Sequence, residues 1–189
     1  MKTNPWRFVW HALAAFAVTG YLLFFLVQLV PLPEAFRENI TYFASTIRSL
    51  NTAAKIAAIK GDDPTAIQLV ILYSAIGSIA LTFWCSCKWL SDPQALAASV
   101  GIYSSLPVHK RPSKSRVILA SVLISTDAFF GWYVLFQMEK TTTGWRETAL
   151  FSTSMQSVTA LIISSSILAL SIPVAIVFSY VALLKNPQP

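Results

Sequence analysis

Residues 117–138 read VILASVLISTDAFFGWYVLFQM, an apolar run of 22 residues with one carboxylate, Asp127, near its midpoint. A helix rises about 1.5 Å per residue and a bilayer hydrocarbon core is about 30 Å thick, so a spanning helix needs about 20 apolar residues. The run therefore predicts a transmembrane helix. Because an ionised acid at the centre of a bilayer costs about 3 kcal/mol on insertion scales, the surroundings of Asp127 matter most.

The composition of the chain is typical of an integral membrane protein. Of its 189 residues, 55% are hydrophobic and 12% are charged, whereas about 25% of the residues of a soluble domain are charged. The mean hydropathy is +0.60. The net charge of +6 comes from basic residues beside apolar runs, where the positive-inside rule expects them. We therefore expect membrane lipids and other membrane protein subunits as partners, and no nucleic acid.

Two further apolar runs precede the central one. Residues 8–30 contain no Asp, Glu, Lys or Arg and are followed by Pro31 and Pro33. They are too long for the apolar part of a secretory signal and predict an uncleaved first span. Residues 66–87 predict the second span, which ends beside Lys88.

The last apolar run is longer than a bilayer requires. Residues 148–184 carry no charge over 37 positions, and as one helix they would measure about 55 Å. We therefore predict a fourth span at residues 159–184, with a kink at Pro173 and a helical extension before the span. The predicted fold is an all-α integral membrane protein, a single domain over residues 1–189 with four transmembrane helices in an up-down bundle.

The connections between the spans carry patterns of their own. Residues 34–60 predict an amphipathic helix whose apolar stripe lies on the membrane surface, on the end of the bundle or on a partner. Residues 93–105 predict a short helix capped by Asp92, and residues 105–116 a basic loop broken by prolines. The apolar stripe of the amphipathic helix contains Phe36, Ile40, Phe43, Ile47, Leu50, Ala54 and Ala57.

The distribution of Lys and Arg predicts the orientation of the protein. Four spans place both termini on one side, which then holds eight cations against six on the opposite side. The positive-inside rule puts the richer side in the cytoplasm, and we expect a bacterial-type inner membrane. The eight cations are Lys2, Arg7, Lys88, Lys110, Arg111, Lys114, Arg116 and Lys185.

The depth of Asp127 limits its partners within the chain to hydroxyl groups. At similar depth the other spans offer no cation. The hydroxyl groups at that depth belong to Thr19, Tyr21, Ser78 and Ser171. We therefore expect a neutral, protonated carboxyl that donates a hydrogen bond to one of these hydroxyls or toward another subunit and so joins helices. The alternative is a proton or cation site at the same position.

Small side chains at helical spacing mark the faces along which the second and fourth spans pack. Helices in lipid gain little from the hydrophobic effect against one another, so they associate through close packing and hydrogen bonds. These predicted packing faces contain Ser74, Gly77, Ser78, Thr82, Ala160, Ser164 and Ala175.

The basic loop predicts contact with anionic lipid headgroups, although an ordinary cytoplasmic loop would carry the same charges. Each cation near an anionic membrane surface contributes about 1 kcal/mol of attraction. The four cations of this predicted headgroup site are Lys110, Arg111, Lys114 and Arg116. Bound lipids are therefore expected.

Few residues suggest a metal or an organic cofactor. His11, near the start of the first span, could ligate haem or a pigment, but an interfacial aromatic residue is the simpler interpretation. His109 lies in the basic loop and is expected to be solvated. Cys85 and Cys87 are two residues apart and point about 200° apart on a helix, so they cannot share a metal. We predict no metal, and no cofactor beyond the weak possibility at His11.

The sequence contains no nucleophile with a paired base and no phosphate-binding loop, so we expect no enzyme. The preferred hypothesis is a non-enzymatic integral membrane subunit with an accessory, scaffold or assembly role in a larger membrane complex. The first alternative is a small proton- or ion-coupled transporter or channel that uses Asp127. A membrane immunity or exclusion protein that blocks an incoming partner is the further alternative.

Overall fold

A computed structural model describes residues 6–30, 32–43, 46–107, 111–137 and 150–184. Seven helices lie within these ranges, and the described residues form no strand. The helices are α1 (Arg7–Leu29), α2 (Glu34–Phe43), α3 (Ser49–Lys60), α4 (Thr65–Ser91), α5 (Pro93–Ser105), α6 (Lys114–Phe136) and α7 (Met155–Leu184).

Four of these helices, α1, α4, α6 and α7, are long and apolar enough to cross a membrane. This confirms the predicted all-α fold and the number of candidate spans among the described residues. The helices begin and end close to the predicted bounds, except that α7 starts at Met155 rather than at residue 159. The expected helical extension before the fourth span is present at residues 155–158, but a bend over residues 152–154 separates it from the helical residues 150 and 151.

The bend before α7 is held by hydroxyl groups. Ser154 Oγ accepts a hydrogen bond from the backbone N–H of Ser157 at 3.2 Å and thereby caps the start of α7. Ser152 Oγ lies 2.7 Å from Ser157 Oγ, and Thr153 Oγ1 donates to Asp62 Oδ2 at 2.6 Å. These bonds satisfy the hydroxyl groups of Ser152, Thr153 and Ser154 outside a helix, which explains why residues 152–154 interrupt the helical conformation.

The helices α4 and α7 form the centre of the fold. They pack against each other, α1 packs against both, and α6 packs almost wholly against α7. In α4, 44% of the spanning residues are buried inside the protein, compared with 39% in α7, 17% in α1 and 11% in α6. Among the described residues, α6, which carries Asp127, is therefore the candidate span with the smallest buried share.

The predicted amphipathic helix is divided into two helices. The chain turns after Phe43, whose carbonyl oxygen accepts hydrogen bonds from the backbone N–H groups of Thr46 and Ile47 at 3.0 and 2.8 Å. The turn lets α3 fold back onto α4, where Gln68 Nε2 donates to the carbonyl oxygen of Leu50 at 3.1 Å. Leu50, Ile56 and Ala57 of α3 are buried there, whereas Ile59 is 71% exposed, so the end of the bundle covers most of this part of the stripe. Gly61, at φ 74°, ends α3 in a left-handed conformation that suits glycine.

The cap predicted for α5 is present. Asp92 Oδ1 accepts hydrogen bonds from the backbone N–H groups of Gln94 and Ala95 at 2.9 and 3.2 Å, and Pro93 occupies the first turn. The helix covers residues 93–105, as predicted. It packs against α4 and α7 at the end of the bundle where α6 begins.

Gly77 allows α1 and α4 to approach closely, and its replacement gives a first prediction. A Cβ atom at Gly77 would lie 2.7 Å from Cε2 of Phe16. The Phe16 ring stacks on Tyr73 with centroids 4.9 Å apart, so it has little room to move. We expect Gly77→Val to lower the free energy of unfolding by about 1–3 kcal/mol through overpacking, measured by thermal unfolding in detergent micelles.

The matched control for this substitution is Gly101→Ala in α5. No heavy atom lies within 4 Å of a Cβ built at Gly101. Alanine also favours a helix over glycine by about 1 kcal/mol, so Gly101→Ala should leave the stability unchanged or raise it. Equal losses of stability for both variants would show that α1 and α4 do not meet at Gly77.

Candidate functional site

Asp127 lies on the outer face of α6, which we define by Leu119, Leu123, Asp127 and Phe130. All four side chains are exposed, the three apolar ones by 59%, 55% and 64%. At the rise of a helix, Asp127 is about 20 Å from the start of α6 and about 14 Å from its end. A carboxyl group at this depth therefore faces the region that lipid tails would occupy.

The opposite side of α6 packs against α7, and this packing sets the direction of Asp127. Val117, Ala128 and Leu135 are buried on that side. Gly131 also approaches α7, since a Cβ there would lie 2.8 Å from Cδ2 of Leu168. Asp127 is exposed and lies about 100° around α6 from Ala128 but about 40° from Gly131, so it is at the edge of the outer face next to α7.

Hydrogen bonds hold α6 in this rotation. Ser121 Oγ donates to the carbonyl oxygen of Ala175 at 3.1 Å and accepts from Ser179 Oγ at 2.8 Å. The sequence predicts Ala175 as a packing residue but does not single out Ser121. Its signal is weak, because a serine within an apolar run is also compatible with a bond to its own helix.

The structure does not bring Asp127 together with its expected hydroxyl partners. Ser78 is buried and donates to the carbonyl oxygen of Ala75 at 2.9 Å, and Ser171 donates to that of Ile167 at 2.8 Å. Thr19 lines a groove between α1 and α4. Within the described ranges Asp127 has neither a hydrogen-bond partner nor an ion pair. The reason is the rotation of α6 about its axis. Asp127 and these hydroxyl groups lie at a similar depth, but α6 turns Ser121 toward α7 and Asp127 toward the outside.

The predicted packing residues of α4 lie at its contacts with the neighbouring helices. Ser74 and Ser78 are buried, and Gly77 contacts Phe16 of α1. Thr82 Oγ1 lies 3.0 Å from the carbonyl oxygen of Ala169, to which it can donate across to α7. Ser74 Oγ is buried without a hydrogen-bond partner among the described residues.

The predicted packing residues of α7 are less uniform. Ala175 is 2% exposed, whereas Ala160 and Ser164 are half-buried. Between α7 and α1, Tyr21 and Thr159 share a hydrogen bond of 2.9 Å, which the sequence pattern does not single out. Hydroxyl groups therefore join α7 to three neighbouring spans.

Of the three described cations of the basic loop, one is hydrogen-bonded to α5 and two are exposed. Arg111 donates to the carbonyl oxygens of Ser104 and Leu106 at 2.6 and 2.9 Å and so binds the end of α5. Lys114 and Arg116 begin α6 and are exposed. Lys110 and His109 lie outside the described residues.

His11 is exposed on α1, in the open groove that Thr19 also lines. Cys85 is buried and Cys87 is exposed, as expected for positions on different sides of a helix. Within the described part of the chain, no three His, Cys, Asp or Glu side chains are grouped in a way that would hold a metal ion.

A polar cluster lies at the end of the bundle opposite the start of α1 and the end of α7. Arg37 of α2 forms an ion pair with Asp63 at 3.5 Å, and Thr65 Oγ1 donates to Asp63 Oδ1 at 2.5 Å. The Thr65 hydroxyl is the largest cause of a lowered pKa at Asp63; the Thr65 N–H and Arg37 also lower the pKa, and partial burial opposes them. The cluster ties α2 to the start of α4.

This lowered pKa predicts how stability depends on pH. Ionised Asp63 stabilises the fold above its ordinary pKa of 3.8, and that contribution is lost as the pH falls through the lower, folded-state value. Thr65→Val should therefore unfold more easily than the native protein at neutral pH, and the difference should narrow below pH 3.8. The difference will be small because 58% of the Asp63 side chain is exposed.

Thermal unfolding between roughly pH 3 and pH 7 measures this effect. Arg37→Gln serves as the comparison, because the Coulombic attraction of Arg37 is the weakest of the causes and its removal should change the profile less. Curves for the native protein and Thr65→Val that stay parallel over the whole range would contradict the assignment.

Comparisons with known proteins found no match to the chain among family models, curated proteins or solved structures.

Proposed function

We propose that the protein is a non-enzymatic subunit of a larger membrane complex, with an accessory, scaffold or assembly role, in a bacterial-type inner membrane. In this proposal the four long helices cross the bilayer as an up-down bundle with both termini in the cytoplasm. The count of eight cations against six supports that orientation. The exposed aromatic side chains of α2, Phe36, Tyr42 and Phe43, support an interfacial position for that helix.

The observation that carries the proposal is the exposed carboxyl of Asp127 at mid-depth on α6. Leucine and phenylalanine on the same face can contact lipid directly, because lipid tails are equally apolar. A carboxyl group needs a polar partner, and lipid tails offer neither a hydrogen-bond donor nor a cation. We infer that a transmembrane helix of a partner subunit covers the outer face of α6 and presents a donor or a cation to Asp127.

The weak attachment of α6 supports the same conclusion. Only 11% of its spanning residues are buried inside the protein, and the described parts of the other spans offer no cation at the depth of Asp127. This supports the proposal that the group that satisfies Asp127 comes from a partner subunit. A partner helix on the outer face would satisfy the acid and bury the span that this chain leaves most exposed.

A transporter or channel formed by this chain alone is less well supported. A conduction path needs polar groups in succession, and within the described ranges no polar side chain is bonded to Asp127. An exclusion protein would also use the outer face of α6, but its partner would be an incoming complex rather than a resident one. A subunit would be bound to its partner in cells that have met no incoming complex, whereas an exclusion protein would not.

The proposal is tested by site-specific crosslinking in native membranes. A photo-crosslinking amino acid replaces Leu123, which lies one turn before Asp127 on the outer face of α6. We expect one defined partner protein to be captured, in a fixed ratio to the chain, from cells that have met no competing complex. The matched control position is Val18 of α1, which is 56% exposed and lies on a different helix.

Two outcomes would overturn the proposal. Capture of only lipid from both positions would mean that Asp127 is left to the bilayer. Capture of a second copy of this chain from the Leu123 position would mean that the protein is a homo-oligomer rather than a subunit of a mixed complex.

A further inference from the structure

A partly enclosed apolar cavity of about 240 Å³ lies at the end of the bundle where α1 and α6 begin and α4 ends. Its walls come from Trp6, just before α1, from the end of α4, and from the second halves of α5 and α7. Six of the side chains that line it are Trp6, Trp89, Ile102, Tyr103, Val177 and Val181. No part of this cavity belongs to the outer face of α6.

The walls of the cavity are fixed by packing and hydrogen bonds. The rings of Trp6 and Trp89 lie 6.5 Å apart, and Trp89 Nε1 donates to Ser99 Oγ at 3.2 Å, which holds α5 against the end of α4. On the far side Tyr103 and Val177 belong to one buried apolar cluster. Packed side chains of three helices, α4, α5 and α7, therefore form the walls of the cavity.

Cations flank the tryptophan wall. Arg7 follows Trp6, Lys88 precedes Trp89, and both cations are exposed. The acid nearest in sequence, Asp92, accepts two backbone N–H groups at the start of α5 and is only partly exposed. Its charge is thus directed to the helix cap and not to the cavity.

More cations flank the opposite wall. Val117 of α6 packs in the same apolar cluster as Tyr103, and Lys114 lies almost one turn before Val117 on the same side of α6. Arg111 donates to the carbonyl oxygen of Ser104, the neighbour of Tyr103. Cations are thus next to residues of the tryptophan wall and of the apolar cluster behind the opposite wall, at the end of the bundle where a lipid headgroup would lie.

We propose that the cavity binds one acyl chain of an anionic phospholipid and that the surrounding cations hold its headgroup. The lining has almost no polar surface, which suits a hydrocarbon chain and not a polar ligand. The cations add about 1 kcal/mol each for an anionic headgroup and nothing for a zwitterionic one. The cations of the basic loop alone would attract many anionic lipids to the protein surface. A cavity that holds one acyl chain would make a single lipid a specific ligand.

Native mass spectrometry of the full chain in detergent tests this proposal. The protein is given an equimolar mixture of phosphatidylglycerol and phosphatidylcholine with identical acyl chains. We expect one phosphatidylglycerol to be retained in preference to phosphatidylcholine by at least about tenfold, and Lys114→Gln to reduce that preference by about fivefold. Lys114 is exposed, so its replacement should not disturb the fold.

The cavity itself is tested by filling it. Ile102→Trp enlarges a half-exposed side chain of the lining and should reduce retention of both lipids at least about tenfold. The matched control is Ile76→Trp in α4, where the isoleucine is 53% exposed and lies outside the lining. Val174→Phe is a second filling variant, and circular dichroism confirms that each variant is helical.

The outcomes separate the proposal from its alternatives. Equal retention of the two lipids, unchanged by Ile102→Trp or Val174→Phe, would overturn it and leave only surface attraction by the basic loop. Retention of a neutral isoprenoid or sterol in place of phosphatidylglycerol would also overturn it, because the cations would then have no part in binding.

Discussion

Asp127→Leu is expected to reduce the amount of partner protein that co-purifies with the chain from native membranes by about tenfold. A hydrogen bond between transmembrane helices contributes about 1–2 kcal/mol, and each 1.4 kcal/mol changes an equilibrium tenfold. The reduction will be larger if the partner presents a cation, because that charge would be left unpaired in lipid. Quantitative mass spectrometry of the purified complex measures the ratio of the two proteins.

The control for this variant is Phe129→Leu. Phe129 is 68% exposed, but it lies about 160° around α6 from Asp127, so the control changes a different part of the surface of α6. It should leave the partner bound. A similar loss of partner in both variants would mean that α6 is merely destabilised, and an undiminished complex with Asp127→Leu would remove Asp127 from the interface.

Asp127→Asn distinguishes the subunit hypothesis from the transporter hypothesis. Asparagine keeps a polar side chain of almost the same shape, so it should preserve most of an interface that rests on a neutral hydrogen bond. A proton- or ion-coupled transporter should instead lose its flux in reconstituted vesicles while its fold stays intact. Equal flux in the native protein and Asp127→Asn would eliminate the transporter.

The spans could be predicted from the sequence because length and hydropathy do not depend on how a helix is rotated. Residues 117–138 are long and apolar enough to cross a bilayer whichever side faces inward, and α5 begins where Asp92 and Pro93 place it. The surroundings of Asp127 could not be predicted in this way. Counting residues gives depth, whereas the neighbours of a side chain depend on rotation about the helix axis, which Ser121 and Ala128 set through contacts with α7.

The break in the predicted amphipathic helix has a similar origin. Helical spacing continues across residues 34–60, so periodicity alone favours one helix. The burial gained when Leu50 and Ile56 fold onto α4 is a tertiary contact that the local pattern does not contain. Such tertiary contacts override the helical preference of the local sequence. They also decide whether the apolar stripe lies on the membrane surface, on the end of the bundle or on a partner.

Leu135→Ala is expected to lower the free energy of unfolding by about 2–3 kcal/mol, whereas Leu123→Ala should change it little. Leu135 is 9% exposed and Leu123 is 55% exposed on the same helix. Removing a buried leucine leaves a cavity and costs about 2–5 kcal/mol in soluble proteins. The lower end applies here, because the transfer from water that contributes to that cost is absent in lipid. Unfolding by a denaturing detergent in mixed micelles measures both variants.

This pair of leucines also decides the rotation on which the proposed function depends. Leu123 lies about 40° around α6 from Asp127, and Leu135 lies about 80° from it in the other direction. If Leu123→Ala were the costly substitution, the buried side of α6 would include Asp127, and the acid would find its partner within the chain. A large loss at Leu135 with none at Leu123 leaves the acid facing outward, where a partner subunit is expected to satisfy it.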